Sequence, residues 1–105
     1  MAVKKQFNSF QDLIANADRP VLVDFYANWC GPCHLLASIL EQVQDQFSDR
    51  LQIVKIDTEK YPNLASEHHV YALPTLVLFK QGKPIDRIEG VLQPNQLIQR
   101  LAALV

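Results

Sequence analysis

Hydrophobic and polar positions along the chain follow two different periods. Val21-Leu22-Val23-Asp24-Phe25-Tyr26 is an almost unbroken apolar, β-branched and aromatic run. That is the pattern of a strand buried on both faces, interrupted here by one acid. Residues 51–57 read the same way, with Val54 and Ile56 on one face and Leu51, Ile53 and Lys55 on the other. Thr75–Lys80 is the third strong strand. Gln81-Gly82-Lys83 then supplies a turn, and residues 84–89 form an edge strand, where a leading proline is tolerated. Residues 3–7 make a weaker first strand.

Between the strands the period changes to that of helices. Leu36, Ile39, Leu40, Val43 and Phe47 recur at helical spacing, so residues 33–47 form a long amphipathic helix. Ser9 and Asp12 have the spacing of a capping box ahead of Leu13 and Ile14. Residues 62–68 suit a short helix. Pro94 opens the last one, where its missing N–H costs nothing, and Leu97, Ile98, Leu101 and Leu104 give it an apolar face. The resulting order, βαβαβαββα, predicts an α/β fold. Its central sheet is mixed, parallel with an antiparallel edge, and carries helices on both faces.

Composition narrows the function. At 105 residues the chain has the length of one domain, read as residues 1–105. With 49% hydrophobic and 20% charged residues it is not an intrinsically disordered chain. A net charge of −1 lacks the basic excess of a nucleic-acid binder. The longest purely apolar run, residues 101–105, is far short of a membrane span. The first residues contain no apolar stretch of the secretory kind, and the expected compartment is the cytoplasm.

The only two cysteines are Cys30 and Cys33. A C-x-x-C pair without a secretion signal points to redox or metal chemistry. Cys30 falls between the first strong strand and the long helix. Gly31 permits a tight turn there and Pro32 suits the first helical turn. The exposed entrance of a helix offers unpaired N–H groups and the positive end of the macrodipole, which favour a thiolate over a thiol. Cys33 lies one turn further on, placed to attack a mixed disulfide at Cys30. Three competing readings stand beside this one. The cysteines could be inert core residues. Cys30-Gly31-Pro32-Cys33-His34 also fits the C-x-x-C-H haem attachment pattern, but the sole methionine, Met1, is a poor distal ligand. A zinc site would need His34, His68 or His69 as further ligands.

The stretch from Val21 to Cys33, ending Trp29-Cys30-Gly31-Pro32-Cys33, resembles the active-site block of the thioredoxin family. Val70-Tyr71-Ala72-Leu73-Pro74-Thr75-Leu76 followed by Phe79-Lys80-Gln81-Gly82 resembles its second block, and Gly90 falls at a third substrate-facing glycine. The resemblance runs the length of the chain. It implies a thioredoxin-like fold, with four helices flanking the sheet, and a Cys30/Cys33 dithiol–disulfide cycle without a bound cofactor or metal. The implied partners are proteins with exposed disulfides and a separate thioredoxin reductase, drawing on NADPH or ferredoxin, with the chain acting as a monomer. The other functions considered are a thioredoxin-fold interaction module and a disulfide oxidant or isomerase.

The resemblance also gives neighbouring residues expected roles. Asp24, costly to ionise in a buried strand, becomes a proton acceptor near Cys33; an exposed strand-end acid is the other reading. Lys55, on the adjacent strand, either reaches Asp24 or is a surface lysine. Pro74 is implied to be cis and to sit beside the cysteines. Trp29, Gly31, Pro32, Leu73, Pro74 and Gly90 are expected to form a flat apolar platform around Cys30. Three positions depart from the family: His34 where a basic residue is usual, Tyr71 in place of a basic or small one, and Glu89 in place of an apolar or neutral one. These make the docking rim less basic, which bears on partner choice, and His34 is read as either a modulator or a bystander.

Overall fold

The computed structural model describes residues 10–105. In chain order it contains helix α1 (Phe10–Asn16), strand β1 (Val21–Tyr26), helix α2 (Gly31–Phe47) and a 3-10 turn (Ser48–Arg50). Strand β2 (Gln52–Asp57), helix α3 (Pro62–Glu67), strands β3 (Thr75–Lys80) and β4 (Lys83–Glu89), and helix α4 (Pro94–Ala102) follow. The expected strand at residues 3–7 and the Ser9 part of the capping box lie outside the described residues.

The four described strands form one mixed sheet in the order β2-β1-β3-β4. β1 runs parallel to β2 with Asp24 opposite Lys55, and antiparallel to β3 with Asp24 opposite Leu76. β3 and β4 make the expected antiparallel hairpin. Its two-residue turn places Gln81 at φ 55° and Gly82 at φ 80°, the left-handed pair that matches strand twist. At Gly82 a Cβ would also come within 3.2 Å of the Ala15 backbone.

Strand alternation sorts the core into two layers. On one face Leu22, Leu76, Leu78 and Ile88 pack with Leu36, Leu40, Val43 and Phe47 of α2 and with Leu97 and Leu101 of α4. On the other, Val21, Val23, Phe25, Val77 and Phe79 pack with Phe10 and Ile14 of α1 and Ala65 of α3. Leu36 and Leu97 are fully buried, so truncating either to alanine should cost about 2–5 kcal/mol. Asp24 is 1% exposed in the midst of this packing; it is not a strand-end surface acid.

Element bounds differ from the sequence reading by one or two residues, for local reasons. α2 begins at Gly31 because Cys30 itself caps it. β4 begins at Lys83, and the pairing slips between Leu78 and Phe79 so that Pro84 faces Phe79. Leu104 lies beyond the end of α4 yet still packs against the α2 layer. Among the described residues no helix is long and apolar enough to cross a membrane.

Candidate functional site

β1 delivers the chain to the site. After Tyr26 it turns through Ala27, whose carbonyl accepts the N–H of Cys30 at 3.2 Å. Cys30 is extended (φ −86°, ψ 110°) and occupies the N-cap of α2, with proline in the first helical turn. The Cys33 N–H, otherwise unpaired at a helix start, donates to Cys30 Sγ at 3.2 Å. The two sulfurs are joined in a disulfide, with Cα atoms 5.3 Å apart.

The entrance of the helix is less open than the sequence suggests. Cys30 is only 4% exposed and Cys33 5%, because Ala27, Tyr26 and Leu73 pack against the pair. Cys30 meets solvent through a groove of about 410 Å³. Trp29, Gly31, Pro32 and Leu73 line it as expected, together with Thr58, Val70 and Tyr71. The site is thus a groove rather than a flat platform, and Pro74 and Gly90 are not among its walls. Pro74 is buried as it enters β3, with the Leu73–Pro74 peptide cis. Its carbonyl accepts the Gly90 N–H at 2.9 Å, and Gly90 has φ 90°, a backbone region that favours glycine.

Two groove walls project into solvent. Trp29 is 69% exposed and Tyr71 80%. Trp29 Nε1–H donates to Glu59 Oε2 at 2.6 Å, and the Tyr71 hydroxyl lies 3.3 Å from His69 Nδ1. The β2–α3 loop that carries Thr58 is tied to β1 by its N–H and hydroxyl, both donating to the Tyr26 carbonyl. Arg87 of β4 donates to the carbonyls of His68 (2.8 Å) and His69, holding the segment that leads to Tyr71. Sequence reasoning missed the Glu59 and Arg87 contacts; nothing in local periodicity marks partners 30 or 18 residues apart.

Asp24 projects to the same sheet face as Leu22, the face covered by α2. Both of its carboxylate oxygens are buried without a hydrogen-bond partner among the described residues. Burial pushes its carboxyl up to about 6, and the positive charge of Lys55 works against that rise. Lys55 makes no ion pair with it. Its Nζ sits 4.9 Å from the centre of the Tyr26 ring, a cation–π contact, and the residue is exposed. His34 is exposed too, with Nε2 2.8 Å from the Asn28 carbonyl. A carbonyl only accepts, so Nε2–H is the donor. Among the described residues no three His, Cys, Asp or Glu side chains stand together as a metal site.

The thioredoxin family model matches residues 1–103. A thioredoxin-like protein of Synechocystis is 57% identical over 105 residues, the full length of both chains. Chloroplastic thioredoxin Y2 of Arabidopsis thaliana is 58% identical over 101 residues, 95% of this chain and 60% of that longer protein. Among solved structures, oxidised mitochondrial thioredoxin 3 of Saccharomyces cerevisiae superposes with a TM-score of 0.83 at 35% identity, covering 93% of this chain and 90% of that one. Chloroplastic thioredoxin z gives a TM-score of 0.82 at 39% identity over 91% of this chain and 87% of that one. With its fold, its Cys30–Cys33 pair and these relatives in agreement, the chain belongs to the thioredoxin family of dithiol–disulfide oxidoreductases.

Proposed function

We propose that Cys30 is the attacking sulfur and Cys33 the resolving one in the reduction of protein disulfides. The observation that carries this reading is the Cys33 N–H donating to Cys30 Sγ at the N-terminus of α2, with Cys30 facing the groove. In the reduced protein that N–H and the helix dipole favour the Cys30 thiolate. The thiolate attacks one sulfur of the target disulfide, forming a Cys30–target bond and expelling the other target sulfur as a thiolate. Cys33 then loses its proton and attacks Cys30 Sγ, breaking that bond and releasing the second target thiol. Two electrons pass to the target, and the Cys30–Cys33 disulfide remains.

Asp24 is the proposed acceptor of the Cys33 proton. A carboxyl raised to about 6 is ionised at neutral pH yet closer to it than an ordinary aspartate, which suits a general base. Lys55 tunes it by its charge. Trp29, Gly31, Pro32, Leu73 and Tyr71 receive the target chain, and the Pro74–Gly90 hydrogen bond ties the end of β4 to the start of β3. His34, bonded to Asn28, steadies the turn before Cys30.

The family implies disulfide-bearing targets and a reductase. We propose a NADPH- or ferredoxin-dependent thioredoxin reductase as electron donor, with the chain working as a single domain and a monomer, in the cytoplasm or a plastid. The cyanobacterial and chloroplastic relatives support this choice of compartment. The test is alkylation of the reduced protein with iodoacetamide at neutral pH, read by mass spectrometry. Cys30 should be modified first; equal rates, or faster modification of Cys33, would reverse the assignment.

A further inference from the structure

The groove beside Cys30 has a chemical bias of its own. None of the residues that line it carries a formal charge, but its Trp29 wall is held by one that does. The indole N–H that binds Glu59 Oε2 is neutral, so the carboxylate keeps its charge. A carboxylate also has more acceptor positions than this one bond uses. Glu59 is exposed and, among the described residues, makes no ion pair. Asp57 and Glu89 are engaged differently. Asp57 accepts the N–H groups of Glu59 and Lys60 at 2.9 and 3.3 Å, and Glu89 is paired with Arg87 at 3.3 Å. Tyr71 adds a second exposed aromatic ring to the groove, anchored at its hydroxyl by His69. Aromatic faces attract cations through the ring quadrupole, and a carboxylate beside them adds direct charge attraction.

We propose that this groove recognises a cationic side chain, lysine or arginine, close to the target cysteine, through the Glu59 carboxylate and the rings of Trp29 and Tyr71. The inference rests on Cys30 being the attacking sulfur, because only then does a target segment lie along the groove. An extended chain advances about 3.3 Å per residue, so the cation belongs one or two positions from the cysteine that is attacked. An acidic segment there meets the Glu59 charge and is disfavoured, because complementary charge acts on specificity and association rate.

The experiment uses the reduced protein and synthetic disulfide-linked peptides, identical except two positions from the reactive cysteine, on either side. That position holds arginine, norleucine or glutamate, and rates of disulfide reduction are compared at low and high salt. The arginine peptide should react about tenfold faster than the glutamate peptide at low salt, with norleucine between them. The spread should shrink as salt rises. E59Q keeps an acceptor for the Trp29 N–H and removes only the charge, and should shrink the arginine-to-glutamate ratio to the part that the two rings supply. Y71A, at an exposed position, should reduce the advantage of arginine over norleucine. Equal wild-type rates for the three peptides would overturn the cation preference while leaving Cys30 as the attacking sulfur. An arginine preference unchanged in the E59Q/Y71A double variant would overturn it as well. Failure to reduce any peptide would instead count against the thiol chemistry itself.

Discussion

The two faces of the sheet each carry an ionisable side chain with a buried polar atom that has no hydrogen-bond partner among the described residues. On the α2 face this is Asp24, both of whose carboxylate oxygens are unpaired; on the α1 face it is His68, at Nε2. Desolvation is the largest influence on both and moves them in opposite directions, because burial disfavours whichever form is charged. It pushes Asp24 up to about 6 against the pull of Lys55. It pushes His68 down, with Arg87 and His69 adding to the fall and Glu67 opposing it. Their surroundings differ in kind. His68 is packed among the rings of Phe10, Phe25 and Phe79, with centroids 5.4–5.8 Å away, and its neutral imidazole behaves as one more aromatic of that layer. Asp24 has no comparable packing role for its carboxylate, and at neutral pH it ionises at a cost to the fold. The lesson is that burial alone does not mark function. The acid whose ionisation the fold resists, on the face that carries the cysteine helix, is the one we propose as the acceptor of the Cys33 proton.

The largest expected effect is on stability at Asp24. Its folded value lies above its unfolded one, so its stabilising contribution is complete below about pH 4 and is lost as pH rises through 6. Asp24→Asn should therefore leave stability nearly unchanged at pH 4 and raise it by about 3 kcal/mol at pH 8. Urea unfolding of the oxidised protein at the two pH values measures this. A loss at both would mean that the carboxylate is ionised and satisfied in the fold.

His68 should show the opposite pH dependence. Its folded value is depressed, so the unfolded chain binds more protons as pH falls below 6.5, and the wild-type fold loses stability in acid. The stability of His68→Leu relative to wild type should rise between pH 8 and pH 5, by less than the Asp24→Asn change. If both variants gain in the same pH direction, the two faces do not differ as described.

The smallest effect belongs to Lys55. Removing its charge in Lys55→Met removes the one influence that lowers the Asp24 carboxyl, which should then titrate above its wild-type value. The Asp24 side-chain carbon shift, followed by NMR against pH, reports this directly. An unchanged midpoint would mean that the Lys55 charge, drawn over the Tyr26 ring, is fully screened from Asp24.

Much of this was legible in the residues themselves. β1 could be read because six consecutive positions are apolar but for Asp24, and the acid stood out for the same reason. Cys30, Gly31, Pro32 and Cys33 combined turn chemistry with a following helical period, which located the sulfurs at a strand-to-helix junction. The rest depended on contacts that no local period encodes. The Trp29–Glu59 bond joins two loops that meet only after β1 and β2 pair. Arg87 reaches the His68 and His69 carbonyls only because β4 lies beside β3. Lys55 could be aligned with Asp24 from the strands, but its choice of the Tyr26 ring depended on side-chain reach. The burial of Cys30 was missed because Leu73, distant in sequence, closes over it.

The division of labour between the two sulfurs can be tested in a single trapping measurement. Cys33→Ser and Cys30→Ser proteins, each reduced, are mixed with a disulfide-bearing target and analysed by non-reducing mass spectrometry. Cys33→Ser should accumulate a covalent complex linked through Cys30 Sγ, because the resolving sulfur is gone, while Cys30→Ser should accumulate almost none. A stable complex through Cys33 in the Cys30→Ser protein, with none in Cys33→Ser, would contradict the assigned roles.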